Sequence, residues 1–207
     1  MKMNSAWIQT MCAAALTIAV TAGVSAQVGK SQGVVDVNTA AEKDLASFPN
    51  LTPAIAKALV AKRPFTSATE LNAFLLAQGL TAEQAMAFYG KAFVHINLNT
   101  ATPEEILLVP GAGRRMVREF GEYRPWKTWA QFDKEIGKYV GPEPTAKLAQ
   151  YTFIPMNANT AADADLMTVP GANQAWVDTL KKGRPYKTAA DLEKTLGKAQ
   201  ARFFVVE

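Results

Sequence analysis

The stretch Val109-Pro110-Gly111-Ala112-Gly113-Arg114-Arg115 sets two glycines one residue apart after a proline and follows them with two arginines. A Gly-x-Gly turn lets backbone come close to a ligand and adopts angles that other residues resist. Arginines directly behind it favour an anion, and phosphate is the anion such a turn suits. Arg118 stands one helical turn beyond, and Lys127 adds a further cation. Two readings of the glycines stay open on sequence: phosphate binding, and a helix C-cap with a tight interhelical turn. The arginines divide in the same way between an anion site and a solvated face on which Glu119 and Glu122 pair with them at helical spacing.

Covalent and metal chemistry find little support. The only cysteine is Cys12 and the only histidine is His95. No His, Cys or acidic cluster stands at metal-ligand spacing, and no nucleophile has a histidine base to form a triad. The expectation is a protein that is not an enzyme, with no metal, cofactor or small-molecule substrate. His95, in the apolar run Phe93-Val94-His95-Ile96, reads as a surface or core residue and not as a ligand.

The chain that must position this turn begins with Lys2, an apolar run from Met11 to Val20, and small residues ending Val24-Ser25-Ala26. That is the layout of a secretory signal peptide. Residues 1–26 are expected to direct export to the periplasm or cell surface, with cleavage before Gln27. The run is interrupted by Thr17 and Thr21 and falls short of the roughly 20 apolar residues a membrane span needs; an uncleaved anchor is the alternative. Cys12 lies inside the run, so the mature chain has no thiol and no disulfide. Without Lys2 the count is 21 Lys and Arg against 18 Asp and Glu, a net charge of +3. A protein that coats nucleic acid by bulk charge shows a far stronger basic excess. Anion binding here must be local.

Internal repetition organises the rest. Residues 37–71, 98–132 and 158–192 align without a gap at offsets of 61 and 60. Asn38, Asn99 and Asn159 correspond, as do Pro49, Pro110 and Pro170, and the pairs Arg63-Pro64, Arg124-Pro125 and Arg184-Pro185. Each unit closes on an apolar, aromatic-bearing segment. In the middle copy, Thr102 is a predicted N-cap with Pro103 at N1 and Glu105 at N3, which is a capping box. Pro110-Gly111 ends that helix. A second helix is predicted from about Arg114 to Tyr123, with Val117 and Phe120 facing inward. A third starts in the same register in every copy, at Ser67, Thr128 and Thr188. The fold class predicted is all-α: a signal peptide (1–26), a linker (27–36), and three helical units at 37–96, 97–156 and 157–207.

The segment from Asn97 to Trp126 resembles the helix-hairpin-helix domain of the ComEA competence DNA receptor family. The matching residues are Asn97-Leu98-Asn99-Thr100-Ala101-Thr102, the acidic pair Glu104-Glu105, Val109-Pro110-Gly111-Ala112-Gly113, Tyr123-Arg124 and Trp126. The resemblance covers about 35 residues of each unit closely. It implies that the turn and the start of the second helix point backbone N–H groups at a duplex phosphate, without reading bases. Gly111, Ala112, Gly113, Arg114, Arg115, Arg118 and Lys127 would form that contact. The partner implied is duplex DNA, held at the cell envelope. Ala112 departs from the bulky apolar residue usual in the family.

At the positions of Gly111 and Gly113, the first unit has Asn50 and Thr52, and the third has Gly171 and Asn173. Thr52 is β-branched and resists left-handed backbone, so the first hairpin is expected to be degenerate and the third partly so. Helix-hairpin-helix elements also occur in DNA glycosylases, but the base pocket those need has no counterpart here. They occur too in proteins that bind no DNA, so an exported scaffold for envelope proteins is the alternative. Arg63, Arg124 and Arg184 read as closing the second helix of each unit. Phe65, Trp126 and Tyr186 read as core aromatics, with stacking platforms for single strands the lesser alternative.

Overall fold

A computed structural model of the chain describes residues 34–207. The signal sequence, its expected cleavage site and Cys12 lie outside the described residues. The chain is mostly helical, and one element order occurs three times: strand, four helices, strand. The first passage holds β1 (Val35–Asp36), α1 (Glu42–Leu45), α2 (Pro53–Lys62), α3 (Ala68–Ala77), α4 (Ala82–Tyr89) and β2 (Ala92–Phe93). The second holds β3 (Ile96–Asn97), α5 (Pro103–Leu107), α6 (Arg114–Glu122), α7 (Trp129–Val140), α8 (Pro142–Ala149) and β4 (Thr152–Phe153). The third holds β5 (Met156–Asn157), α9 (Asp163–Leu166), α10 (Gln174–Lys182), α11 (Ala189–Leu196), α12 (Lys198–Ala201) and β6 (Phe204–Val205). Among the described residues no helix is long and apolar enough to cross a membrane.

The local start signals work as their chemistry requires. Thr102 accepts from the Glu105 N–H while the Glu105 carboxylate accepts from the Thr102 N–H, and Pro103 sits at N1. Ser67, Thr128 and Thr188 cap α3, α7 and α11. The inward face of α6 is set by Met116, Glu119 and Phe120, with Val117 only half-buried.

Three features depart from the sequence expectation. Each unit has a fourth helix, starting at a capping box in the first unit (Thr81 and Gln84) and at a glycine in the others. The closing apolar segments are strands, pairing in parallel with the strand that opens the same unit: β1 with β2, β3 with β4, β5 with β6. The class is therefore not purely α. Strands of two residues carry no alternation, and a parallel pair needs a long crossover between its members, so neither is visible locally. The unit boundaries move slightly as a result. Val35 and Asp36, read as linker, form β1, and the cuts at 96/97 and 156/157 fall inside β3 and β5.

The recurring asparagine explains how each unit closes. Asn99 Oδ1 accepts from the Trp126 N–H at 2.6 Å and its Nδ2 donates to the Trp126 carbonyl at 3.0 Å. Asn38 does the same to Phe65, and Asn159 to Tyr186. The recurring arginines tie the same loop from the other side. Arg124 donates to the carbonyls of Leu98 and Ala101, and Arg184 to those of Ala158 and Ala161. Arg63 reaches the Ala40 carbonyl, while its buried Nε has no partner. These arginines are structural, but they hold the loop before the first helix of each unit. Phe65, Trp126 and Tyr186 are core residues, at most 5% exposed.

One apolar core runs from Val34 to Ile154 through the first two units, and a second fills the third. Replacing Asn99 by Ala would leave the N–H and carbonyl of a buried tryptophan without partners. Unfolding free energy is expected to fall by about 2 kcal/mol or more in a denaturant titration. Asn99→Asp keeps the acceptor and loses the donor, and should fall between.

Candidate nucleic-acid interface

The turn between α5 and α6 has one left-handed residue, Gly111, at φ +85°. The matching residues are Asn50 at φ +63° and Gly171 at φ +79°. All three first hairpins therefore make the same turn, and asparagine tolerates the left-handed position in the first. Thr52 is not strained. It and Asn173 occupy the N-cap in extended backbone, as Gly113 does. The expectation that Thr52 spoils the first hairpin is corrected on this geometry.

The three N-caps differ in their side chains instead. Thr52 Oγ1 accepts from the Ile55 N–H, and Asn173 Oδ1 from the Trp176 N–H, at 3.3 and 3.0 Å. Gly113 has no side chain to cap α6, and the Met116 N–H turns back to the Gly113 carbonyl at 2.8 Å. Among the described residues, the N–H groups of Gly113, Arg114 and Arg115 find no protein partner. A Cβ built on Gly113 would meet nothing within 4 Å. The fold does not require glycine there, yet the helix end is left bare. Unpaired N–H groups and the positive end of the helix dipole together attract an anion.

Ala112 does not belong to this donor set. Its N–H is spent on the Val109 carbonyl at 2.9 Å, and its methyl packs against the core as the turn's apolar anchor. Arg114 is exposed at the rim. The Arg115 guanidinium lies 4.7 Å over the ring of Tyr139, whose hydroxyl meets that of Tyr123 at 2.9 Å. Arg118 is committed to Glu119, with Nη2 and Nε on one carboxylate oxygen at 2.6 and 3.1 Å. Glu119 is only 1% exposed, whereas Arg118 is 68% exposed. The Arg118 hydrogen bond, outweighing burial, holds the Glu119 carboxyl below the usual carboxylate range. Among the described residues Glu122 makes no such bridge.

Lys127 is separated from this group. It follows the far end of α6, a nine-residue helix that spans about 13 Å, and it lines a different cleft with Asn97, Trp126 and Glu207. The structure brings in a neighbour that the sequence reading missed. Tyr139, stacked under Arg115, lies two residues before Gly141, which ends α7 and starts α8 at φ +80°. The end of α7 thus meets the start of α6, and the α7–α8 turn follows it. It adds no anion site, because Pro142 and Pro144 lack N–H groups and Glu143 places a carboxylate in its first turn. Gly141-Pro142 was readable as a helix boundary; the approach of Tyr139 to Arg115 was not.

His95 is a core residue, 2% exposed with Nδ1 on Asp36 at 3.1 Å.

Comparison with protein families finds a match to the helix-hairpin-helix motif over residues 30–88. The matched stretch contains the α1–α2 turn, the one expected to be degenerate, and agrees with its left-handed Asn50. No curated protein and no solved structure matches the chain.

Gly111→Ala forces a side chain into left-handed backbone and should lower stability by about 1 kcal/mol, whereas Gly113→Ala should not, as read by thermal melting of each variant. The lowered Glu119 pKa stabilises the fold above the ordinary value of 4.5 and is lost as pH falls through the shifted one. Glu119→Gln should therefore melt below the parent protein at neutral pH, with the gap closing as the buffer is taken below 4.5.

Proposed function

We propose that this chain binds duplex DNA without sequence preference, through the α5–α6 turn. In this reading it comprises three tandem helix-hairpin-helix modules, at 37–96, 97–156 and 157–207. It is exported by its N-terminal signal and retains DNA at the cell envelope in the manner of the ComEA receptors. It works by binding alone, with no catalytic step and no cofactor.

The observation that carries the reading is the bare N-terminus of α6. Of the three equivalent helices, only this one starts at a residue without a capping side chain, and it is followed directly by two arginines. A phosphate oxygen set against the Gly113, Arg114 and Arg115 N–H groups would satisfy donors that the fold leaves open. Helix-hairpin-helix motifs commonly bind nucleic acid, which agrees with this. Contacts of this kind go to backbone phosphate and hold a protein on DNA regardless of sequence. Arg114 and Arg115 supply the charge at the rim. Arg118 contributes less, because Glu119 already neutralises it, and Lys127 lies beyond reach of the same phosphate.

A scaffold for envelope proteins is the second reading, favoured by one observation. A Cβ on Gly171 would meet Thr39 of the first unit at 3.0 Å, so the third turn already serves a protein contact.

Fluorescence anisotropy of the chain with duplex DNA across a salt series tests the choice. Each phosphate contacted should contribute roughly −0.9 to the log–log salt slope. The informative variant is Gly113→Asn, which gives α6 the cap that Asn173 gives α10. Its stability should hold or rise by a few tenths of a kcal/mol, while duplex affinity falls about tenfold, equivalent to one lost phosphate interaction of roughly 1.4 kcal/mol. Unchanged affinity in a stable Gly113→Asn protein would turn the assignment to the scaffold.

A further inference from the structure

Asn97 and Asn157 open their units with the same device: Oδ1 accepts the N–H two residues on, at 2.9 and 2.8 Å. Asp36 holds the matching place in the first unit and makes the same bond to the Asn38 N–H at 2.8 Å. What aspartate adds is a charged second oxygen. Asp36 Oδ2 receives His95 Nδ1 at 3.1 Å and Arg202 Nη2 at 3.0 Å. Arg202 Nη1 also donates to the His95 carbonyl at 2.6 Å. Both partners break the repeat as well. Aligned on the closing strands, His95 corresponds to Pro155 and Glu207, and Arg202 to Gly90 and Gln150. Three departures from a threefold pattern thus meet at one point, from the opening strand, the β2–β3 connection and the end of α12.

The network is interior. Asp36 and His95 side chains are 2% exposed and Arg202 15%, with the Arg202 guanidinium 4.5 Å over the Phe203 ring. Glu105 and Arg63 are the further charged groups whose fields reach it. A buried ion pair adds little net stability over apolar packing, but removing one partner strands the other, so such pairs fix one arrangement against others. The arrangement fixed here has the third unit against the first. On it the Gly171 turn is covered, its Cβ position lying 3.0 Å from Thr39 Cγ2 and 3.5 Å from Gln200 Nε2, while nothing approaches the corresponding point on Gly111 within 4 Å.

We propose that Asp36, His95 and Arg202 form a clasp that closes the third unit onto the first and keeps the Gly171 turn covered. The chain is then a closed set of three units and not a flexible string. The clasp is also a point of release: losing its charge balance uncovers the Gly171 turn and leaves the internal structure of each unit in place.

The variants are supplied by the repeat itself. Asp36→Asn installs the residue found at 97 and 157, and Arg202→Gln the residue found at 150. Each removes one charge and keeps a hydrogen-bonding side chain. Hydrogen–deuterium exchange of the full chain, read by mass spectrometry, should show peptides over 169–173 and 37–41 exchanging about tenfold faster in either variant. Peptides over 99–126 should be unchanged, and the double variant should add nothing to the singles. Unchanged exchange at 169–173 in both variants would overturn the clasp. Acceleration spread evenly over all three units would overturn it too, because the network would then belong to the general core. The measurement uses no DNA, so its outcome is independent of the duplex-binding result.

Discussion

Asn38, Asn99 and Asn159 each present an amide to the backbone of an aromatic residue 27 positions later, accepting from its N–H and donating to its carbonyl. A side-chain amide has one acceptor and one donor pair spaced like a peptide group, so it completes both backbone groups of an aromatic that the core must bury. With that aromatic fixed, the Arg-Pro step before it is fixed, and the arginine can reach back to the carbonyls around the asparagine. The first helix, the hairpin turn and the second helix lie within this closed loop. The geometry of each turn is thereby set from both ends, which is why Asn50, Gly111 and Gly171 all reach the left-handed region despite different flanking residues.

Against that common frame, function depends on small differences. The N-cap of the second helix carries threonine, glycine or asparagine in the three units, and only glycine leaves the helix end without a side chain over it. The middle turn is thus the one where backbone donors and an arginine rim coincide. Its electrostatics are moderate and not strongly basic, because Glu119 holds Arg118. In the proposed reading, specificity for an anion would rest on directed N–H groups more than on bulk charge, in keeping with a net charge of only +4 on the whole chain.

The departures from threefold symmetry have two physical kinds. Some alter a surface, as Gly113 does. Others create a contact between units, as Asp36, His95 and Arg202 do. A repeat protein whose units are related only by sequence neighbours has no need of buried charge between its first and last members. The presence of such charge is the sign of a closed arrangement.

Much was legible from residues alone. The capping box at Thr102 and Glu105, the caps at Ser67, Thr128 and Thr188, and the core placement of Phe65, Trp126 and Tyr186 follow from local hydrogen-bonding chemistry and from repetition. So does the importance of Gly111, because a helix end followed by an immediate second helix needs a left-handed residue. Other features were not local. The parallel strand pairs join residues about a whole unit apart through two-residue strands, which leave no periodic trace. Which of Gly111 and Gly113 bears the left-handed angle, whether Ala112 keeps its N–H for the turn, and which carboxylate Arg118 chooses all depend on the settled backbone. The meeting of Asp36 with Arg202, 166 residues apart, depends on how three units pack. Sequence by itself determined the unit, its turn and the bare cap at Gly113, since these are written in residue identity and short-range hydrogen bonds; only the tertiary structure decided that the Gly171 turn is covered and the Gly111 turn is not, since that is a matter of what else comes to lie against each.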